Sequence, residues 1–372
     1  MKKIFTVLTS IALTFALSFS AAFANDDALM KSQNYLKTIT LDSPDAVIAY
    51  EATGMEADYK ADALLNNFKE TDYVTASYGD LAKSIIAISL LGENPKDFNN
   101  TNLVEILENR VQEDGTLTND VNGGCGATIW TLMALETVNS PKVKAVADKL
   151  STMAMDNGAY WYEYQGPNAD LDTTGWAMEA LSVAGRSTYK AAISKAYTFV
   201  QSKLNSTDGY FDNWGGNADT QSCVLEGLSV AGYTLDTNAY NYLLSYQNED
   251  GTFNALNYST GQLEPNAYAS VEGARALGVI NHESFVLKAR QDYTNTTTPV
   301  VTEPEKPTTP TTPTTPNTTT PAVKPETTTT TEPKKETVKA VNTGDNTNVM
   351  AYVVAAIAAV GVIVLVIKSK KK

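Results

Sequence analysis

Residues 171–185 read LDTTGWAMEALSVAG, and this stretch decides the fold because the chain repeats it. Residues 218–232, ADTQSCVLEGLSVAG, are the nearest copy, and residues 265–278, PNAYASVEGARALG, are a more distant one. Working outward, GATIWTLMALETVN (126–139), GDLAKSIIAISLLG (79–92) and PDAVIAYEATG (44–54) fit the same pattern. The copies end at residues 54, 92, 139, 185, 232 and 278, a period of 38 to 47 residues. A repeat of that length corresponds to one helical hairpin per unit.

Each copy is apolar nearly all round, which predicts a helix buried on more than one side. The partner helix of each hairpin precedes it, at residues 29–39, 57–68, 102–111, 143–155, 189–204 and 239–246. These segments are amphipathic at helical spacing, as in Val143, Val146, Ala147, Leu150 and Met153. Six amphipathic helices alternating with six buried ones predict an all-α (α/α)6 toroid, with the buried helices as an inner ring. An open solenoid is the alternative, but it calls for visibly polar end repeats. The first copy, with Asp45, Tyr50 and Glu51, is only mildly polar.

Outside the repeats the composition changes. Lys2 and Lys3, an apolar run over 4–19 and Ala22-Phe23-Ala24 read as a signal peptide over residues 1–24. The toroid domain is expected over 25–292. Residues 293–340 are mostly Thr and Pro and predict an extended, disordered stalk. Residues 341–372 hold an apolar run over 349–367, long enough for a transmembrane helix, and a basic tail of Lys368, Lys370, Lys371 and Lys372. Ala340-Val341-Asn342-Thr343-Gly344-Asp345 stands just before that run. Such a box, span and basic tail together resemble a Gram-positive cell-wall sorting signal, although Ala340-Val341 replaces the usual Leu-Pro. The resemblance implies sortase as a partner, cutting between Thr343 and Gly344, and localisation at the cell surface, on wall or membrane.

With 28 basic residues, six of them in the terminal segments, and 42 acidic ones, the remaining chain carries a net charge of about −20. That excludes nucleic acid and anionic lipid surfaces as partners. Two cysteines in an exported chain, Cys125 and Cys223, raise the prospect of a disulfide, though they start inner helices that are not neighbours.

Asp/Asn-Gly turns precede inner helices at Asp114-Gly115, Asn157-Gly158, Asp208-Gly209 and Asp250-Gly251. The fullest copy, Gln247-Asn248-Glu249-Asp250-Gly251-Thr252-Phe253, resembles the Q-x-x-D-G-x-W/F repeat of triterpene cyclases. Asp170-Leu171-Asp172-Thr173-Thr174 resembles the D-x-D-D-T motif of class II terpene cyclases, which implies a proton-donating role for Asp172; Thr173 replaces an Asp. Asp172 and Asp219 have a simpler reading as helix N-caps. Protein prenyltransferases share the toroid but need Asp, Cys and His on zinc. Thr220 stands where their His would fall, and His282 follows the last repeat, so neither a metal nor a cofactor is expected. Gly124-Cys125-Gly126-Ala127-Thr128 resembles the complement-type thioester segment, but Thr128 stands where the thioester needs Gln. The repeats as a whole resemble prenyltransferase/squalene-cyclase-repeat surface proteins of Gram-positive bacteria. They also resemble the toroid half of intrinsic factor and transcobalamin, which implies a corrinoid ligand.

The candidate site is the rim where inner helices four and five begin. Trp161, Tyr162, Tyr164 and Trp214 lie in the loops leading there, and Trp176 lies on the helix. Asp172 and Asp219 stand at the helix starts, with Glu179 and Glu226 about two turns further on. Glu272 is the third member of the glutamate series. Aromatic rings among carboxylates suit an amphipathic small molecule or a glycan. The expected function is therefore ligand binding at the mouth of a surface-anchored toroid. The alternative is an extracellular enzyme, terpene-cyclase-like or glycan-processing, using the cavity carboxylates.

Overall fold

The computed structural model describes residues 26–57, 62–120, 123–162, 166–213 and 215–297. All of them lie in the first of two compact units, residues 1–302. The expected signal peptide, sorting box and apolar run over 349–367 fall outside the described residues. Among those residues no helix is long and apolar enough to cross a membrane.

The protein is helix-rich, with thirteen helices and one short hairpin among the described residues. Twelve helices form six successive pairs. The first three pairs are α1 (Asp26–Leu36) with α2 (Pro44–Ala52), α3 (Asp62–Glu70) with α4 (Tyr78–Leu90), and α5 (Leu103–Glu108) with α6 (Gly126–Thr137). The others are α7 (Val143–Met153) with α8 (Leu171–Gly185), α9 (Lys190–Ser202) with α10 (Ala218–Val230), and α11 (Thr237–Leu244) with α12 (Ala267–Asn281). The second member of each pair is a repeat copy. These helices are buried on nearly every side: every residue of α6 is buried, and in α10 all but Asp219 and Ser229 are. The first members bury one stripe, as Val146, Ala147 and Leu150 do in α7.

Helix starts follow from local side chains. Ser43, Ser77, Asn102, Asp170, Asn217, Asp236 and Asn266 each accept a backbone N–H of the helix that they open, which satisfies donors left orphaned at a helix N-terminus. Asp170 caps α8 and Asn217 caps α10, so Asp172 and Asp219 are not the caps that the sequence predicted; each is the second residue of its helix.

The copies pack in a cycle: α2 on α4, α4 on α6, α6 on α8, α8 on α10, α10 on α12, and α12 back on α2. Contacts at α1 complete it. The Gln247 amide donates to the Ala28 carbonyl and to Ser32 Oγ, both at 2.9 Å. Gly251 lies so close to α1 that a Cβ there would stand 2.0 Å from the Lys31 carbonyl oxygen, and its φ is +84°. Only glycine meets both demands. Gly115, Gly158 and Gly209 meet the α7, α9 and α11 backbones in the same way. The sequence's Asp/Asn-Gly turns are thus docking points, each gripping the first helix of the following pair, and the last grips α1.

Two features go beyond the sequence expectation. Strands β1 (Phe253–Asn257) and β2 (Gln262–Asn266) form an antiparallel hairpin before α12, with Leu256 opposite Leu263. A thirteenth helix, α13 (Phe285–Thr297), follows the last pair and includes residues 293–297, expected in the stalk. It packs on α2, α4 and α6 and buries Phe285, Val286, Ala289 and Tyr293. Fully burying one such ring contributes roughly 1.5–3 kcal/mol.

Candidate functional site

The inner helices present equivalent positions in layers. Nine residues before the end of each copy stand Asp45, Lys83, Trp130, Trp176, Cys223 and Ala269. From Asp45 to Trp176, neighbours in this layer touch. Lys83 Nζ lies 2.8 Å from Asp45 Oδ1 and 4.6 Å above the Trp130 ring. The Trp130 and Trp176 centroids are 5.8 Å apart. Three residues further along stand Ile48, Ile86, Met133, Glu179, Glu226 and Glu272, all buried. Four residues before the tryptophan layer stand Leu41, Gly79, Gly126, Asp172, Asp219 and Pro265.

That last layer explains where space lies. A cleft of about 720 Å³ opens at the starts of α4 and α6, above Lys83 and Trp130. There the layer holds Gly79 and Gly126, whereas α8 and α10 carry Asp172 and Asp219. A Cβ built on Gly79 would meet nothing nearer than Ser77 Oγ at 3.9 Å. The missing side chains leave the volume open. Tyr78, Tyr162, Asn109 and Asn119 line its sides. Arg110 holds one wall in place, donating to the carbonyls of Tyr73, Val74 and Ala76 at 2.7–2.8 Å.

The acidic side of the rim is built differently. Asp172 and Asp219 are half-buried. The Asn213 amide nitrogen lies 3.1 Å from Asp170 Oδ1 and 3.2 Å from both Asp172 Oδ1 and Thr220 Oγ1. Burial pushes the Asp172 carboxyl up to about 7, and the neighbouring Asp170 and Asp219 charges add to the effect. Burial alone raises Asp219 to about 6. Glu272 is pushed up to about 8 by burial, against the pull of Arg275.

Glu179 and Glu226 belong to a buried network on the side of α13. Ser284 Oγ donates to Glu179 Oε1 at 2.7 Å. Arg275 Nε donates to both Glu226 oxygens at 3.0–3.1 Å. Arg275 Nη2 lies 3.8 Å from Glu272 Oε1, and Cys223 Sγ lies 3.8 Å from Glu272 Oε2. Burial, then the Glu226 charge beside it, holds Glu179 well above the usual carboxylate range. Glu226 is raised by burial and restrained by Arg275. One arginine among three buried glutamates leaves protons to neutralise the others. α13 fastens to the same region. Lys288 pairs with Glu51 at 2.8 Å, Arg290 pairs with Glu136, and Phe285 stacks on Trp130.

The predicted site residues therefore separate. Tyr162 lines the cleft, and Trp161 is half-buried against the core, its carbonyl accepting from Cys125 N. Trp176 is buried, with no partner for Nε1 among the described residues. Tyr160 and Phe211, in the same loops, are wholly buried. Tyr164, Trp214, Thr343 and Gly344 lie outside the described residues. Cys125 and Cys223 are both buried and are not joined in a disulfide. Among the described residues no group of His, Cys, Asp and Glu could hold a metal ion. Sequence reasoning missed Gly79, Gly126, Lys83 and Trp130. Aligning the six copies position by position carries that signal, because two glycines fall where two aspartates stand. No protein-family model matches the chain, and no curated protein matches it.

Proposed function

We propose that this chain is an exported surface protein whose inner-helix cycle is an (α/α)6 toroid that binds an extracellular ligand at its mouth. The cleft over Gly79, Gly126, Lys83 and Trp130 carries the reading. It has the size and the mixed aromatic and polar lining of a ligand site, and glycine opens it where the other repeats carry side chains. The resemblance of the repeats to the prenyltransferase/squalene-cyclase-repeat surface proteins agrees with it. The signal-like start, Thr/Pro stalk and Thr343-Gly344 box support display at the surface through a transmembrane helix or a sortase-made wall linkage. A thermal-shift screen of the full-length protein against glycans, corrinoids and isoprenoids tests binding. A ligand at 100-fold its Kd adds about 2.7 kcal/mol of stability. That gain should vanish in Gly79→Trp, which fills the cleft; a gain that survives contradicts the site.

The second reading is an extracellular enzyme with Asp172 as the acid. The raised Asp172 carboxyl beside Asp170 favours it, because a carboxyl protonated near neutral pH can donate a proton. In that case Asp172→Asn abolishes turnover and leaves ligand affinity nearly unchanged. Unchanged turnover in Asp172→Asn excludes the acid role.

A further inference from the structure

The charges around the cleft narrow the ligand. We infer that the cleft over α4 and α6 takes an uncharged sugar chain rather than an anionic one; this rests on the mouth being the binding site.

Among the described residues, both cations that line the cleft are already engaged. Lys83 Nζ sits between Asp45 Oδ1 at 2.8 Å and the face of Trp130. Arg110 spends its terminal nitrogens on three backbone carbonyls that shape the wall. Neither can offer the two-pronged donor geometry that recognises a carboxylate or phosphate without giving up its present partners. Asp80 and Asp120 also line the cleft, and they oppose an anion in a chain that is already acidic. What the lining offers is suited to a polyol: the rings of Tyr78 and Tyr162, and the amides of Asn109 and Asn119. Rings cover the C–H faces of a sugar, and amides and carboxylates pair with hydroxyl groups without needing a net charge. Asn109 and Asn119 are exposed, so their amides keep water as partner until a ligand displaces it.

The test is isothermal titration of the full-length protein at low ionic strength with three tetrasaccharide probes: one of β-1,4-linked glucose, one of β-1,4-linked N-acetylglucosamine, and an anionic one of galacturonate. At least one neutral probe should bind, and galacturonate should bind at least ten-fold more weakly or not at all. Gly79→Trp should remove neutral-sugar binding. Asn109→Trp, which adds a ring to the cleft lining at an exposed position, should weaken it at least ten-fold, and this covers the case in which Gly79→Trp does not fold. Gly79→Ala should retain binding. Galacturonate binding as tight as the neutral probes overturns the inference, as does neutral-sugar binding that both tryptophan variants leave unchanged. If no sugar binds, yet a corrinoid or isoprenoid does and Gly79→Trp blocks it, the sugar assignment fails while the mouth remains the binding site.

Discussion

The ring of Trp130 stacks on the ring of Phe285, with centroids 6.2 Å apart and planes at 27°. Trp130 lines the cleft, and Phe285 is the first residue of α13, so one contact joins the cleft to the last helix. Phe285→Ala should cost about 3–5 kcal/mol in denaturant unfolding. It should also weaken any ligand seated on Trp130, because the indole loses the ring beneath it. Wild-type affinity in a destabilised Phe285→Ala protein would show that Trp130 does not depend on α13.

The Glu226–Arg275 pair gives a second prediction. Both side chains are buried, and removing one partner leaves the other as an uncompensated charge. Arg275→Met should destabilise by about 3–5 kcal/mol. Glu226→Gln added to it should recover a large part of that loss. Additive losses in the double-mutant cycle would show that the two do not act as a pair.

Stability should rise on mild acidification. Asp172, Asp219 and Glu272 are raised to about 7, 6 and 8 in the folded protein, and the unfolded chain returns them to the ordinary carboxylate range. A raised carboxyl favours the folded state fully below its unfolded pKa, and that contribution is lost as pH climbs through the folded one. Asp45 is shifted down, with Lys83 drawing it below the usual range against its burial. Its contribution has the opposite sign and is lost only below about pH 4. Between pH 5 and 8 the raised groups decide the trend, and Tm should be higher at pH 5 by roughly 5 °C. A Tm that is flat or higher at pH 8 contradicts these assignments.

The sequence made the helices legible because each repeat copy is apolar all round and each partner segment is amphipathic. It located the first five inner helices, from α2 to α10, to within about two residues at each end, and the sixth, α12, starts within two residues of its copy but runs three residues beyond it, to Asn281. The hairpin β1–β2 was not legible, because residues 254–264 lie between the last Asp-Gly turn and the last repeat copy, and Asn, Ser, Thr and Gly there are turn-forming types. Nor was α13, whose polar residues hide an apolar edge that α2, α4 and α6 cover. The site was half legible. Glu179, Glu226 and Glu272 fell at one repeat position, but periodicity cannot say whether such a layer faces a cavity or a buried arginine. The caps were misassigned because both Asp170 and Asp172 stand near the helix start, and only backbone geometry distinguishes them.

Surface display has its own test. The full-length protein, expressed in a Gram-positive host, should be released from the cell envelope by murein hydrolase if Thr343 is joined to the wall. Release by detergent alone would favour a membrane anchor and reject the wall linkage.

The most direct measurement is the crystal structure of the protein soaked with a ligand found by the screen. Ligand density should lie in the cleft, over Gly79 and Gly126 and against Trp130. Density confined to the smaller groove of about 280 Å³ beside His282 and Lys288, with the cleft empty, would contradict the account.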